Sequence, residues 1–167
     1  MSDFNINKYL GVWYELIHYP SWFQRNDNYN TMAEYYMKDP QKGLIEVRNS
    51  TITQGKKIES IGTAHYLGGN NIRVDFPGEE VIKLQQSGQF KSYQTELNKN
   101  EPNYVVDKIW TNNFGEYVFA VVTDKHKQSL YVLSRYENPS LIAYNEIMDY
   151  VVKNYDRDRL VQTPHFK

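Results

Sequence analysis

Cysteine is missing from all 167 residues of the chain. That excludes disulfides, thiolate metal sites, a nucleophilic thiol and a redox Cys-x-x-Cys pair. Long apolar runs are missing too. The longest, Tyr117 to Val122, holds six residues, whereas a membrane-spanning helix needs about 20. Excess basic charge is also lacking: 19 Lys+Arg stand against 20 Asp+Glu, a formal net charge of −1. A domain that neutralises phosphates needs a net basic face, so nucleic acid is not expected as a partner. The opening residues, Met1 to Lys8, lack the apolar stretch of a secretory signal. The chain therefore reads as soluble and cytoplasmic, or as a secreted form whose signal has been removed.

Catalytic motifs are equally scarce. No Gly-x-Ser-x-Gly elbow, Walker loop or dinucleotide fingerprint occurs, so no cofactor is expected. Gly68-Gly69 reads as a turn and not a phosphate cradle, because no helix follows it. His18, His65, His126 and His165 are dispersed, without the i, i+4 spacing of a helical zinc site. Each reads as a surface or satisfied structural histidine, His18 and His65 on the outward faces of their strands. The expectation is a protein with no metal and no enzymatic constellation.

Aromatic residues are abundant: 15 Tyr, 7 Phe and 3 Trp. Tyrosine favours pleated, half-buried surfaces where its hydroxyl reaches water or a partner. With a mean hydropathy of −0.72, this composition suits a wall of strands around a partly polar interior. Short alternating runs bounded by turn signals predict eight strands, at 12–19, 31–38, 44–52, 58–67, 72–76, 104–111, 117–123 and 129–136. Eight antiparallel strands on short links suit an up-and-down barrel with room for one ligand. Residues 139–155 switch to helical spacing, with Leu141, Tyr144, Met148, Val151 and Tyr155 on one face, Asn138 as N-cap and Pro139 in the first turn. That helix is expected to pack on the outside of the barrel. Residues 77–103 read as a hairpin insertion in a single domain covering 1–167.

Strand parity nominates inward positions, since residues i and i+2 share a face. These are Trp13, Glu15 and Ile17; Ala33, Tyr35 and Met37; Ile45, Val47 and Asn49; Gly62, Ala64 and Tyr66; Ile72, Val74 and Phe76; and Tyr131 and Leu133 beside Arg135. For 117–123 both faces are equally apolar, and the inward one stays open. Small residues (Ala33, Gly62, Ala64) among aromatic ones leave volume that a fully packed core would fill.

The stretch Tyr9-Leu10-Gly11-Val12-Trp13-Tyr14-Glu15-Leu16, with Tyr19-Pro20 and Phe23-Gln24-Arg25 after it, resembles the opening signature of the lipocalins. The likeness is nearest to the bacterial lipocalin and apolipoprotein D branch. Ala33-Glu34-Tyr35, Val47-Arg48-Asn49, Gly62-Thr63-Ala64 and Ile72-Arg73-Val74-Asp75-Phe76 are similar to its second to fifth strands. Tyr131-Val132-Leu133-Ser134-Arg135 is similar to its last strand, and Tyr155-Asp156-Arg157-Asp158-Arg159-Leu160 to its terminal segment. The middle motif survives only loosely, as Thr111-Asn112-Asn113-Phe114.

The resemblance implies an eight-stranded antiparallel β-barrel with a C-terminal helix outside it. Gly11, Trp13 and Arg135 form the structural motif, with the guanidinium over the indole at the closed end. It further implies binding, transport or storage of a small hydrophobic or amphiphilic ligand, such as a fatty acid or lysolipid. The ligand-facing positions are Ala33, Tyr35, Met37, Val47, Asn49, Gly62, Ala64, Tyr66, Val74, Phe76 and Tyr131. The insertion, with Trp22 and Phe23, would stand at the open end. A second reading makes the barrel a scaffold whose open-end loops contact a protein or a membrane surface.

Overall fold

The alternating runs close into a single antiparallel meander. In the computed structural model the residues described are 3–20, 28–75 and 101–166. The strands are β1 (Gly11–His18), β2 (Tyr29–Asp39), β3 (Leu44–Thr53), β4 (Lys56–Gly68), β5 (Asn71–Asp75), β6 (Tyr104–Thr111), β7 (Tyr117–Thr123) and β8 (Leu130–Ser134). Each pairs with the next, and β1 pairs with both β8 and β2, so the sheet closes on itself. A short helix α1 (Ile6–Tyr9) precedes β1, and α2 (Leu141–Asn154) follows β8. A two-residue strand β9 (Val161–Gln162) joins the upper part of β1. The β3–β4 hairpin turns on Gln54 and Gly55, both at positive φ (51° and 78°), the left-handed pair that matches the twist of its strands.

Two cores result. One fills the barrel and contains Trp13, Ala33, Tyr35, Ile45, Val47, Ala64, Ile72, Val106, Ala120, Val122 and Leu133. The other lies between barrel and helix, where Leu16, Ile17, Phe119, Val121 and Val132 meet Ile147, Val151 and Tyr155. This settles the face of β7. Ala120 and Val122 point into the barrel while Phe119 and Val121 meet the helix, and the strand is apolar on both sides because each side is a core.

Four sequence expectations are corrected. Ile17 packs in the helix-facing core and not inside the barrel. The register explains this: Glu15 lies opposite Leu133 and Ile17 opposite Val132, so Leu16 is an extra residue, a β-bulge. The bulge sends Leu16 and Ile17 outward together and returns His18 to the inner face, opposite Tyr131, against its expected outward placement. The helix begins two residues later than expected. Ser140 is its N-cap, accepting a hydrogen bond from the Ala143 amide, and this hydroxyl cap displaces Asn138 and Pro139 from the role. Leu141 is exposed and takes no part in the buried stripe, which Tyr144, Ile147, Met148, Val151 and Tyr155 supply.

The seam between β5 and β6 is short, with only Asn71–Val105 and Ile72–Tyr104 in register. Two side-chain amides extend it. Asn103 Oδ1 accepts from the Val74 amide at 2.7 Å and its Nδ2 donates to the Val74 carbonyl at 2.8 Å. Asn70 Nδ2 donates to the Val106 carbonyl at 2.8 Å, and the Val106 amide donates to the Asn70 carbonyl at 3.0 Å. Asn103→Ala is expected to cost about 1–2 kcal/mol in urea unfolding. It is also expected to accelerate hydrogen exchange at the Val74 amide selectively; unchanged exchange there would show that the seam does not need the side chain.

Candidate functional site

The closed end is built around one guanidinium. Arg135 Nη1 donates to the Val12 carbonyl at 2.6 Å, and Nη2 donates to those of Leu10 (2.8 Å) and Lys8 (3.1 Å). Nε donates to the Tyr117 carbonyl at 3.2 Å. Its Cζ lies 3.7 Å from the centre of the Trp13 ring, a cation–π contact made strong by burial of the indole. Trp13 Nε1 donates to the Tyr9 carbonyl at 2.7 Å. Gly11 holds φ +102°, and a Cβ there would lie 3.3 Å from Arg135 Nη1, so glycine is required both by conformation and by the close approach. Burial draws the guanidinium pKa down, and these carbonyls, with that of Tyr9 at 3.4 Å from Nη2, offset that cost.

Above the stopper lies a floor of tyrosines. Tyr9 comes from α1, Tyr35 from β2 and Tyr104 from the start of β6. The Tyr104 hydroxyl is hydrogen-bonded to those of Tyr9 and Tyr35, the latter at 2.8 Å. The Tyr9 ring packs 5.2 Å from Trp13 and 5.4 Å from Tyr35, centre to centre. Burial raises the pKa of all three: Tyr35 to about 12, Tyr9 and Tyr104 well above the ordinary phenol value. Sequence parity found Tyr35. It missed Tyr9, which lies on a one-turn helix, and Tyr104, whose strand was not assigned a face.

The wall carries most of the nominated residues. Ala33, Tyr35, Val47 and Ala64 are buried in the interior cluster, and Met37, Tyr66, Val74 and Tyr131 pack half-buried against it. Gly62 is buried opposite Val47. Asn49 is exposed, although it continues the face of Ile45 and Val47 in unbroken register with β2 and β4. On that inner face exposure rises from 1% at Val47 to 46% at Ile58, toward the end opposite the stopper. Phe76, Trp22, Phe23 and nearly all of the 77–103 insertion lie outside the described residues.

At that open end the C-terminal segment enters the wall. The Thr163 amide donates to the Leu16 carbonyl at 2.9 Å, and the Asn30 amide donates to the Pro164 carbonyl at 2.9 Å. Residues 161–166 thereby separate the upper ends of β1 and β2. Thr163, buried, donates its hydroxyl to Glu15 Oε2 at 2.5 Å, with His18 Nδ1 3.1 Å from the same hydroxyl. His65 and His126 are exposed as expected, and His165 donates through Nε2 to the Glu15 carbonyl.

A family model described as a lipocalin-like domain matches residues 4–165. The chain belongs to the lipocalin family. Temperature-induced lipocalin-1 of Arabidopsis thaliana is 26% identical over 166 residues, covering 98% of this chain and 81% of that protein. The Vibrio cholerae outer membrane lipoprotein Blc is 27% identical over 135 residues, covering 81% of this chain and 67% of that one. Among solved structures, lobster apocrustacyanin A1 superposes with a TM-score of 0.63 at 15% identity, covering 98% of this chain and 81% of the other. Lipocalins generally bind small hydrophobic ligands.

Two outcomes test the lower half of this lipocalin. Arg135→Met removes every hydrogen bond the guanidinium makes and is expected to cost about 2–4 kcal/mol in denaturant unfolding. A loss near zero would remove the guanidinium from its place as stopper. The second concerns pH. Below about pH 10 the floor tyrosines are neutral in both states and stability is unaffected. Above it the unfolded chain ionises while the folded chain keeps its protons, so stability falls as pH rises through about 12, the folded value of Tyr35. Tyr35 alone removes roughly 2 kcal/mol by that point. Urea midpoints across this window, with Tyr35→Phe as the flatter comparison, read the effect.

Proposed function

We propose that this protein binds a small hydrophobic or amphiphilic molecule, of the fatty acid or lysolipid kind, inside the barrel, and carries or stores it without catalysis. The observation that carries the reading is the contrast between the two ends. Arg135, Trp13 and three tyrosines seal one, while the same inner wall becomes solvent-accessible from Val47 toward Asn49 and Ile58. Ala33, Gly62 and Ala64 present almost no side chain to that wall. Burying about ten methylenes at ~0.8 kcal/mol each contributes ~8 kcal/mol before ordering costs, enough for micromolar affinity. Membership of a family that generally binds such ligands supports the same reading. Of the open-end loops that the loop-contact alternative invokes, residues 54–55 and 124–129 are described, while Trp22, Phe23 and 77–100 lie outside the described residues.

Titration with the neutral fluorophore N-phenylnaphthylamine tests it. Saturable binding is expected for the native chain, weakened at least tenfold in Ala33→Trp, whose indole would occupy the wall opposite Trp13 and Asn49. Retained secondary structure in the variant separates blocking from unfolding. Equal affinity in both proteins would place the probe elsewhere.

A further inference from the structure

The bulge at Leu16 gives the last residue of β1 an unusual position. His18 lies opposite Tyr131 on the inner face, next to β9, at the open end of the barrel. It is 1% exposed. Its protonation pattern follows from its neighbours. A carboxylate oxygen only accepts, so the Thr163 hydroxyl, 2.5 Å from Glu15 Oε2, spends its proton there. His18 Nδ1 lies 3.1 Å from that hydroxyl oxygen and 3.2 Å from Glu15 Oε2. Both are acceptors toward it, so Nδ1 carries the hydrogen. In the neutral ring Nε2 then holds a lone pair. That nitrogen is buried without a hydrogen-bond partner. Buried polar atoms are almost always paired, so the lone pair calls for a donor that the chain itself does not supply.

We propose that His18 Nε2 accepts a hydrogen bond from the head group of the bound molecule, so the preferred ligands are amphiphiles with a hydroxyl head. Glu15 and Thr163 act as positioning residues that fix the tautomer. A carboxylate head fits poorly: it brings no donor to the lone pair and sets a second negative charge near Glu15. A second buried acceptor without a partner, Asn28 Oδ1, stands just before β2 at the same end, and it too calls for a donor. The inference rests on the barrel interior being the ligand site, and selects among the ligands that reading allows.

Three probes of equal chain length separate the cases: decanol, its isomer methyl nonyl ether, and decanoate. In the native chain decanol is expected to bind about tenfold more tightly than decanoate, the scale of one hydrogen bond. In His18→Phe the decanol-to-ether affinity ratio is expected to fall about tenfold. Nitrogen-15 spectra of the native protein in alkaline buffer need no variant. They should show His18 protonated on Nδ1, with the Nε2 resonance moving on addition of decanol and not of the ether. An Nε2-protonated ring, or an unchanged ratio in the variant, overturns the assignment. Ether binding with no preference for decanol over decanoate leaves the binding reading intact and defeats this one alone, whereas failure of all three probes to bind defeats both.

Discussion

A closed sheet of eight strands leaves two open ends, and the Arg135 guanidinium decides what happens at one of them. Its planar fork reaches the carbonyls of Lys8, Leu10, Val12 and Tyr117 at once, and its central carbon sits over the Trp13 ring. It therefore ties the start of β1 and the end of β8 to the β6–β7 turn. A lysine, a point charge with no rigid fork, cannot span these acceptors together. The glycine at position 11 exists for the same reason, since a side chain there would meet the guanidinium. With this end fixed, α1 lies across the base and Tyr9 is held under Tyr35 and Tyr104. The tyrosine floor is thus a consequence of the stopper, and the volume available to a ligand is whatever remains above it.

The distribution of unpaired polar atoms follows the same axis. Among the described residues, the buried side-chain atoms without a partner are His18 Nε2, Asn28 Oδ1, Thr53 Oγ1 and Arg73 Nη2. The first three belong to strand ends at the open side of the barrel, and Arg73 sits on β5, two residues from its upper end. None belongs to the stopper, where Arg135, Trp13, Tyr9 and Tyr117 each find a partner. A fold under uniform pressure for stability would pair both ends alike. Among the described residues, then, no orphan lies at the base and the orphaned groups lie toward the mouth.

Much of this was legible in the sequence, and the reasons are local. Trp13 and Arg135, 122 positions apart, were placed together by motif and by parity, and they touch. Alternation on β2 to β4 gave the right inner face because those strands have a drier and a wetter side, while on β5 the inward Ile72 was legible although the outward Arg73 is just as buried. The same rule was silent on β7, which is buried on both sides, and failed on β1, where Val12 to Tyr19 is apolar enough on both faces to hide an extra residue. Leu141 was misread because a helical period says which residues share a face and not where the first turn leaves the barrel. The tyrosine hydroxyl chain was invisible for another reason: it joins α1, β2 and β6, and no spacing within one element encodes a meeting of three.

The bulge at Leu16 shows how one misread residue links the two halves of the molecule. A regular β1 would present either Leu16 or Ile17 to the helix and turn the other inward. The inserted residue lets both pack against α2 and shifts the parity of everything after it. That shift is what brings His18 to the inner face and places Val161 of β9 opposite it, with Thr163 two residues further along the same edge. The outer core and the chemistry of the mouth are therefore set by the same backbone irregularity. Deleting Leu16 would strip the helix of an anchor yet leave Ile17 opposite Val132 and His18 opposite Tyr131, whereas drawing all of β1 into a regular strand of the same length would turn Ile17 inward and the imidazole outward together.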